Sequence, residues 1–218
     1  MSGKFAVMGN PIAHSLSPII HQCFAEQFNI ALCYDKMLVV ENEFSQTVAR
    51  FFREGGKGLN ITAPFKQEAY ALAAEKTPRC EYAQAANTLW MSNDQLHADN
   101  TDGVGLVRDL SRHIDLAGQR VLVLGAGGAT RGIIAPLLQA SIASLTVFNR
   151  TFERVQTLQQ HFPQIACVAN LSEANKYDLI INTTPAGINY LNDSEWTANL
   201  PFSMADTFCY DLSYSLAQ

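Results

Sequence analysis

The stretch that decides the fold is Val121-Leu122-Val123-Leu124-Gly125-Ala126-Gly127-Gly128-Ala129-Thr130-Arg131, in which an apolar run passes directly into a glycine turn. A helical pattern follows, so the stretch predicts a strand, a tight turn and a helix. Glycine in such a turn lets backbone amides at the helix N-terminus approach a pyrophosphate, which indicates a dinucleotide-binding unit. Thr130 stands where the common fingerprint has its third glycine, and a purely structural turn can have the same sequence.

The end of the next predicted strand indicates which dinucleotide the turn would bind. About 20 residues after the turn, an NAD-binding unit usually carries Asp or Glu for the ribose 2′-hydroxyl. This chain has Asn149-Arg150-Thr151 there, with Arg154 one helical turn further on. A guanidinium pairs well with a 2′-phosphate, and no carboxylate stands there to repel it, so the sequence favours NADP over NAD. The alternative interpretation is that both arginines are solvated residues at the start of a helix.

Short β-rich apolar runs alternate with segments of helical period, which is typical of an α/β protein with a mostly parallel sheet. Strands are predicted at 4–8, 33–39, 58–61, 86–91, 95–99, 120–124, 145–149, 165–169, 178–182 and 207–212. Helices are predicted near 18–28 and 43–54, after Pro64, and at about 104–113. Pro136 is expected to kink the helix after the glycine turn. We expect a substrate domain at 1–102 and a Rossmann-like NADP-binding domain at 103–218, facing each other across a cleft.

Composition restricts the function classes. The 218 residues are 48% hydrophobic and carry a net charge of -5, which argues against a general affinity for nucleic acid or an anionic membrane. Five scattered cysteines without a Cys-x-x-Cys pair indicate neither a disulfide framework nor a metal site. The N-terminus reads as a strand rather than a signal peptide, and no apolar run reaches membrane-spanning length. We therefore expect a cytoplasmic protein with a small-molecule partner.

Three polar clusters in the first half stand where predicted strands end, the usual place for ligands in an open α/β sheet. They are Gly9-Asn10-Pro11-Ile12-Ala13-His14-Ser15-Leu16-Ser17-Pro18, Asn60-Ile61-Thr62-Ala63-Pro64-Phe65-Lys66, and Asn87-Thr88 together with Asn100-Thr101-Asp102-Gly103. Each also has a plain structural interpretation. Ser17 can be the N-cap of a helix, Lys66 a solvated lysine, and Asp102 a helix cap.

These clusters, the glycine turn and Asn149-Arg150-Thr151 together resemble the shikimate dehydrogenase family, in the same order and with similar spacing over essentially the whole chain. The resemblance implies an NADP-dependent oxidoreductase that interconverts 3-dehydroshikimate and shikimate in the biosynthesis of chorismate and the aromatic amino acids. It also implies that Lys66 and Asp102 are the catalytic pair. Lys66 would supply a proton and stabilise the negative charge that develops on the 3-keto oxygen, and Asp102 would orient it.

The resemblance implies two further sets of residues. The implied ligands of shikimate are Ser15, Ser17, Thr62, Lys66, Asn87, Asp102 and Tyr214. The implied contacts to NADP are Gly125, Ala126, Gly127, Gly128, Ala129, Asn149, Arg150, Thr151, Arg154 and Leu212.

The chain departs from the family pattern in two further places. Thr183-Thr184-Pro185-Ala186-Gly187 replaces the more usual Ala-Thr-Ser-x-Gly turn. Family members continue past Gln218 with a helix that packs on the first domain and brings a glutamine to the substrate, so we expect either a partial sequence or a truncated form. Two alternatives stay open: a quinate or dual quinate/shikimate dehydrogenase that uses NAD, and a non-catalytic nucleotide sensor. The chain is expected to be a monomer or a homodimer.

Overall fold

A computed structural model describes residues 3–171, 176–184 and 206–213 of the chain. The α/β class is confirmed, and the chain divides into two compact units, Met1–Asp102 and Gly103–Gln218. The predicted strands are all present, with bounds that differ by no more than two residues. Among the described residues, no helix combines the length and the apolar character that crossing a membrane requires.

The first unit is built on a six-stranded mixed sheet. Its elements are β1 (Gly3–Gly9), α1 (Ser17–Gln27), β2 (Leu32–Leu38), a 3-10 turn (Glu41–Glu43), α2 (Phe44–Arg53), β3 (Gly56–Ile61), α3 (Lys66–Leu72), β4 (Glu75–Lys76), α4 (Pro78–Ala83), β5 (Thr88–Ser92) and β6 (Gln95–Asp99). The strand order is β2-β1-β3-β5-β6-β4. One face of the sheet, which includes Met8, Leu59 and Ile61, packs with Phe44 and Phe51 of α2 to form the core.

The direction of chain progression reverses at β1, because β2 and β3 pair with it in parallel on opposite sides. In an open α/β sheet, ligands bind beyond the carboxyl ends of the strands at such a switch point. β5 runs antiparallel to β3 and forms the predicted hairpin with β6. Asn93 and Asp94 connect the hairpin with φ values of 50° and 59°, as a two-residue type I′ turn requires.

The second unit is built on a five-stranded parallel sheet. Its elements are α5 (Asp102–Leu110), β7 (Arg120–Leu124), α6 (Gly128–Gln139), β8 (Ser144–Phe148), α7 (Phe152–His161), β9 (Ala166–Val168), β10 (Leu179–Asn182) and β11 (Phe208–Asp211). The order β11-β10-β7-β8-β9 places the switch point between β7 and β10. The glycine turn follows β7, so it lies at this switch point.

Pro136 lies inside α6, which continues to Gln139. Proline has no N–H, so the carbonyl of Gly132, four residues earlier, lacks its helical donor. Gly103 of α5 packs at this point, where an added Cβ would lie 2.3 Å from the Gly132 oxygen and 2.5 Å from Pro136 Cγ. Only glycine fits here, and its absent side chain allows α5 to approach α6 at the position of the proline.

The start of α5, the helix α4 and the two-residue strand β4 differ from the sequence-based expectation. α5 begins at Asp102 rather than near 104, because the side-chain oxygen of Asn100 accepts a hydrogen bond from the Asp102 amide at 3.1 Å. The short helix α4 was not predicted, although Thr77 followed by Pro78 is a start signal. Thr77 Oγ1 accepts the Cys80 amide at 3.3 Å, and the helix has only six residues, too few to show a clear apolar period.

Asp99, at the end of β6, ties α4 to the sheet. Arg79 Nε and Thr77 Oγ1 each donate to Asp99 Oδ1 at 2.6 Å, and the other end of the guanidinium donates to Oδ2. Burial by itself raises the pKa of the Asp99 carboxyl, but the hydrogen bonds from Arg79 and Thr77 outweigh it and hold this pKa below its ordinary value. The pair therefore stabilises the fold while Asp99 is ionised.

Asp99→Asn is expected to lower the free energy of unfolding at neutral pH by about 2 kcal/mol, because it leaves Arg79 without its charged acceptor. Because the pKa of Asp99 is depressed in the folded state, its contribution is complete above the ordinary carboxyl pKa of about 4 and is lost as the pH falls through the folded-state value. Urea unfolding at decreasing pH should therefore show the wild type and the variant converging. Asp35→Asn, which removes an exposed carboxylate from β2, is the control. A difference that stayed constant through the acid range would contradict the assignment.

Candidate active site

Lys66 and Asp102 form an ion pair at the carboxyl edge of the first sheet. Lys66 opens α3 and Asp102 opens α5, and the Lys66 Nζ to Asp102 Oδ2 distance is 2.6 Å. Asn87 Nδ2 donates to the other carboxylate oxygen at 2.8 Å. Lys66 and Asp102 keep 14% and 22% of their side-chain surface exposed, so a ligand can reach both. Because Lys66 is mostly buried and paired, the interpretation of Lys66 as a solvated lysine is wrong. The Asp102 side chain accepts hydrogen bonds from Lys66 and Asn87.

The amide of Asn87 has a defined orientation, because both of its ends are hydrogen-bonded. Its oxygen accepts from Thr88 Oγ1 at 2.9 Å and from the Thr101 amide at 3.1 Å. Its nitrogen donates to Thr101 Oγ1 at 2.8 Å as well as to Asp102. The backbone oxygen of Asn87 accepts the Ile61 amide at 2.8 Å, which places this residue at the end of β3.

Asn100 and Thr101 support this arrangement, although neither has a role that was predicted from the sequence. Asn100 is 3% exposed, and its side-chain amide connects the segment at Ala85 to the start of α5. Nδ2 donates to the Ala85 oxygen at 2.8 Å, and Oδ1 accepts the Asp102 amide. An Asn two residues before an Asp at a helix start is a recognisable Asx-turn signal, and it is the feature of the sequence that could have identified Asn100.

Ser15 and Ser17 lie in the segment between β1 and α1. Ser15 Oγ is 3.2 Å from Ser17 Oγ and accepts the Ser17 amide at 3.3 Å. The interpretation of Ser17 as an N-cap is wrong, because Ser17 is the first residue of α1 and the N-cap position is held by Leu16. Ser15 is buried and closes the turn locally, which accounts for a hydroxyl at this position.

Backbone hydrogen bonds hold the segments after β1 and β3 side by side. The Thr62 amide donates to the Met8 oxygen at 2.9 Å, and the Asn10 amide donates to the Ala63 oxygen at 3.0 Å. An added Cβ on Gly9 would lie 2.4 Å from Thr62 Cγ2, so glycine is needed for this approach. The structure thus forms two hydrogen-bonded groups, Ser15 with Ser17 and Lys66 with Asp102 and Asn87, on loops that leave the same edge of the sheet.

The glycines of the turn after β7 are required for different reasons. Gly125 has a φ of +112°, and an added Cβ would lie 2.4 Å from Thr183 Oγ1. Gly127 is exposed and caps α6, and an added Cβ would meet nothing within 4 Å. The first amides of a helix have no acceptor within it. Gly127 therefore borders open space beside the N-terminal amides of α6. Such amides can donate hydrogen bonds to the pyrophosphate of a dinucleotide.

The predicted 2′-phosphate residues lie next to the glycine turn. The Gly125 amide donates to the Phe148 oxygen at 2.8 Å, so the turn and the end of β8 are adjacent. Asn149 Nδ2 donates to the Thr151 oxygen at 3.0 Å. Arg150 and Arg154 are exposed, and within the described residues neither guanidinium has a carboxylate partner. Both arginines are therefore available to bind a phosphate.

The remaining predicted residues lie at or beyond the end of the second sheet. Ala126 is partly buried against the core, and the Leu212 amide donates to the Asn182 oxygen at 3.0 Å, which places Leu212 just beyond β11 at the carboxyl edge. Gly128 and Ala129 open α6. Tyr214, Pro185, Ala186 and Gly187 lie outside the described residues.

Two family models match the chain. Residues 7–89 match the shikimate dehydrogenase substrate binding domain, and residues 108–214 match shikimate / quinate 5-dehydrogenase. A shikimate dehydrogenase (NADP(+)) of Legionella pneumophila (strain Lens) is 50% identical over 218 residues, covering 99% of this chain and 80% of the relative. Another, from Marinobacter nauticus, is 46% identical and covers 97% of this chain and 79% of the relative.

Solved structures agree with these matches. Shikimate dehydrogenase from Aquifex aeolicus superposes with a TM-score of 0.87 at 28% identity, covering 98% of this chain and 80% of that one. Shikimate 5-dehydrogenase from Thermus thermophilus, solved in complex with NADP(H) and shikimate, gives a TM-score of 0.76 at 32% identity, covering 84% of this chain and 69% of that one. With 50% identity across nearly the whole chain, this protein belongs to the shikimate dehydrogenase family.

Proposed function

We propose that this chain is an NADP-dependent shikimate dehydrogenase, which reversibly reduces 3-dehydroshikimate to shikimate in the biosynthesis of aromatic amino acids. The observation that carries the proposal is the Lys66–Asp102 ion pair, accessible at the carboxyl edge of the first sheet. The proposal is also supported by relatives that are 50% identical to this chain and are named shikimate dehydrogenase (NADP(+)). We assign substrate binding to residues 1–102 and NADP binding to residues 103–218.

The ion pair has the chemistry that carbonyl reduction needs. Bound NADPH supplies a hydride to the 3-keto carbon, and negative charge then develops on the carbonyl oxygen. The Lys66 ammonium stabilises this charge and donates the proton that completes the hydroxyl. In the oxidation of shikimate, the neutral Lys66 amine accepts that proton. Asp102 holds Lys66 in place, and Asn87 fixes the orientation of the carboxylate by binding its other oxygen.

The assigned substrate ligands suit a hydroxylated carboxylic acid. Ser15, Ser17 and Thr62 have hydroxyls, each of which can both donate and accept a hydrogen bond. Ser15 and Ser17 leave the end of β1, and Thr62 leaves the end of β3, on the two sides of the switch point. We assign Asn87, Asp102, Lys66 and Tyr214 to the same substrate site.

We assign NADP to the carboxyl edge of the second sheet. Residues 125–129 would contact the pyrophosphate, Asn149, Arg150, Thr151 and Arg154 the adenosine 2′-phosphate, and Leu212 the nicotinamide. The exposed arginines favour NADP over the NAD of the quinate alternative, because a guanidinium has no counter-charge on a free ribose hydroxyl. The Lys66–Asp102 pair argues against a sensor without catalytic function, since binding a nucleotide does not require it. We place the enzyme in the cytoplasm, as a monomer or a homodimer.

Lys66→Ala should lower the kcat for shikimate oxidation by roughly a hundredfold or more, because it removes the proton-transfer group. The dissociation constant of NADP should change little, since Lys66 belongs to the substrate unit. Steady-state kinetics and calorimetric titration with NADP measure the two quantities. Lys57→Ala, which removes an exposed lysine from β3, is the matched control and should retain full turnover. Equal losses of turnover and NADP binding in Lys66→Ala would instead indicate a structural lysine.

Arg150→Ala should weaken NADP by roughly ten- to hundredfold while leaving NAD nearly unchanged, because only NADP carries the 2′-phosphate that a guanidinium binds. Titration of both nucleotides into the same variant tests this difference. Arg112→Ala, which removes an exposed arginine from the segment after α5, is the control and should alter neither affinity. If Arg150→Ala weakened NADP and NAD equally, the assignment of the 2′-phosphate to this residue would be wrong.

A further inference from the structure

The hydroxyls of Thr130 and Thr183 form a hydrogen-bonded pair at the switch point of the second sheet. Their Oγ1 atoms are 2.8 Å apart. Thr130 Oγ1 also lies 3.0 Å from the Gly125 oxygen, and Thr183 Oγ1 lies 2.8 Å from the Leu124 oxygen. Thr130 is completely buried in the first turn of α6, and Thr183 is the first residue after β10. The pair therefore joins the end of β7, the glycine turn, α6 and the end of β10.

The two hydroxyl protons are not enough to satisfy all three contacts at once. Each threonine has one proton to donate. When Thr183 donates to Leu124, Thr130 donates either to Thr183 or to Gly125. In the first arrangement the Thr183 oxygen accepts the Thr130 proton and the Gly125 oxygen loses its donor; in the second, both protons go to backbone oxygens. Replacing either hydroxyl with a methyl group therefore removes the contact across the switch point and leaves the other hydroxyl only its backbone acceptor.

The pair also restrains the shape of the glycine turn. Gly125 is held on three sides: Phe148 accepts its amide, Thr130 bonds its carbonyl oxygen, and the Thr183 hydroxyl fills the space where a Cβ would be. Gly127, two residues later, borders open space. The turn is therefore restrained on the side of the sheet while its cofactor side stays free. A binding loop that is already held in shape loses less conformational entropy when its ligand binds.

The same contacts explain how Thr130 is accommodated in place of the third glycine. In the common fingerprint, that glycine allows the helix to pack closely against the strand. Thr130 places a hydroxyl in this buried position, and a buried hydroxyl needs a partner. The Gly125 oxygen is one partner, and Thr183 supplies a second across the switch point. The unusual residues at 130 and 183 thus compensate each other.

We propose that Thr183 is a positioning residue for NADP, which acts through Thr130 and Gly125 rather than through contact with the cofactor. This inference rests on the proposed function, because it concerns the same nucleotide site. It predicts that the hydroxyl at position 183, rather than the shape of the side chain, determines how well the glycine turn binds NADP.

The test compares Thr183→Val, which keeps the shape but loses the hydroxyl, with Thr183→Ser, which keeps the hydroxyl. Thr207→Val is the matched control, because Thr207 Oγ1 donates to the Tyr177 oxygen at 2.9 Å where β10 and β11 begin, at the opposite end of the same strands. Calorimetric titration gives the dissociation constants of NADP and shikimate, and thermal melting gives the stability of each variant. Thr130→Val and the double variant complete a mutant cycle.

Thr183→Val and Thr130→Val should each weaken NADP by roughly three- to tenfold, which corresponds to one hydrogen bond. The double variant should be less affected than the product of the two single effects, because the hydroxyls act as a pair. Thr183→Ser should bind NADP within about twofold of the wild type, and shikimate affinity should not change. Thr207→Val should lower the melting temperature without weakening NADP.

Two results would overturn the inference: NADP binding by Thr183→Val that equals the wild type, or an equal loss in Thr207→Val, which would indicate a general effect of stability. Both require a wild-type chain that binds NADP. A wild-type chain that did not bind NADP would contradict the proposed function and this inference together, whereas equal binding by wild type and Thr183→Val would overturn the inference alone.

Discussion

The parallel pairing of β3 with β1, and of β10 with β7, brings the polar turns of each unit to one edge of its sheet. Parallel strands all end at the same edge, and chain order reverses at β1 in the first sheet and between β7 and β10 in the second. In the first unit, the antiparallel hairpin of β5 and β6 returns the chain to this same edge, so Asp102 after β6 is a neighbour of Lys66 after β3. The same constraint brings Thr183 next to the glycine turn.

Hydrogen bonds from neighbouring side chains hold the Lys66–Asp102 pair in a defined geometry. An ion pair that is mostly buried adds little net stability, because the desolvation of both charges opposes their attraction. Asp102 is nevertheless oriented by Asn87 at one oxygen, Lys66 at the other and Asn100 at its amide. Asn100 in turn connects to Asp99, which Arg79 holds from α4. These contacts restrict the rotation of the carboxylate, and such prior orientation is what proton transfer to a bound carbonyl requires.

The parts of this arrangement that sequence could predict are those encoded by local pattern. Apolar runs located every described strand except the two-residue β4, and the glycine turn and the arginines after β8 were identified from the predicted strands that they follow. One misreading is local: Ser17 resembles an N-cap, but Ser15, two residues earlier, supplies the hydroxyl that accepts the Ser17 amide. Other features that sequence missed depend on contacts between distant residues. The Asn87–Thr101 and Thr130–Thr183 contacts join segments that are brought together only by the sheets, so no local sequence pattern predicts them.

The measurement that tests the central claim most directly is the formation of reduced nicotinamide when the purified chain is mixed with shikimate and NADP. Absorbance follows the reaction, and parallel reactions contain NAD in place of NADP or quinate in place of shikimate. Our account predicts turnover with NADP and shikimate, and weaker activity in both parallel reactions. Turnover that was fastest with NAD and quinate, or a chain that neither turned over shikimate nor bound NADP, would contradict it.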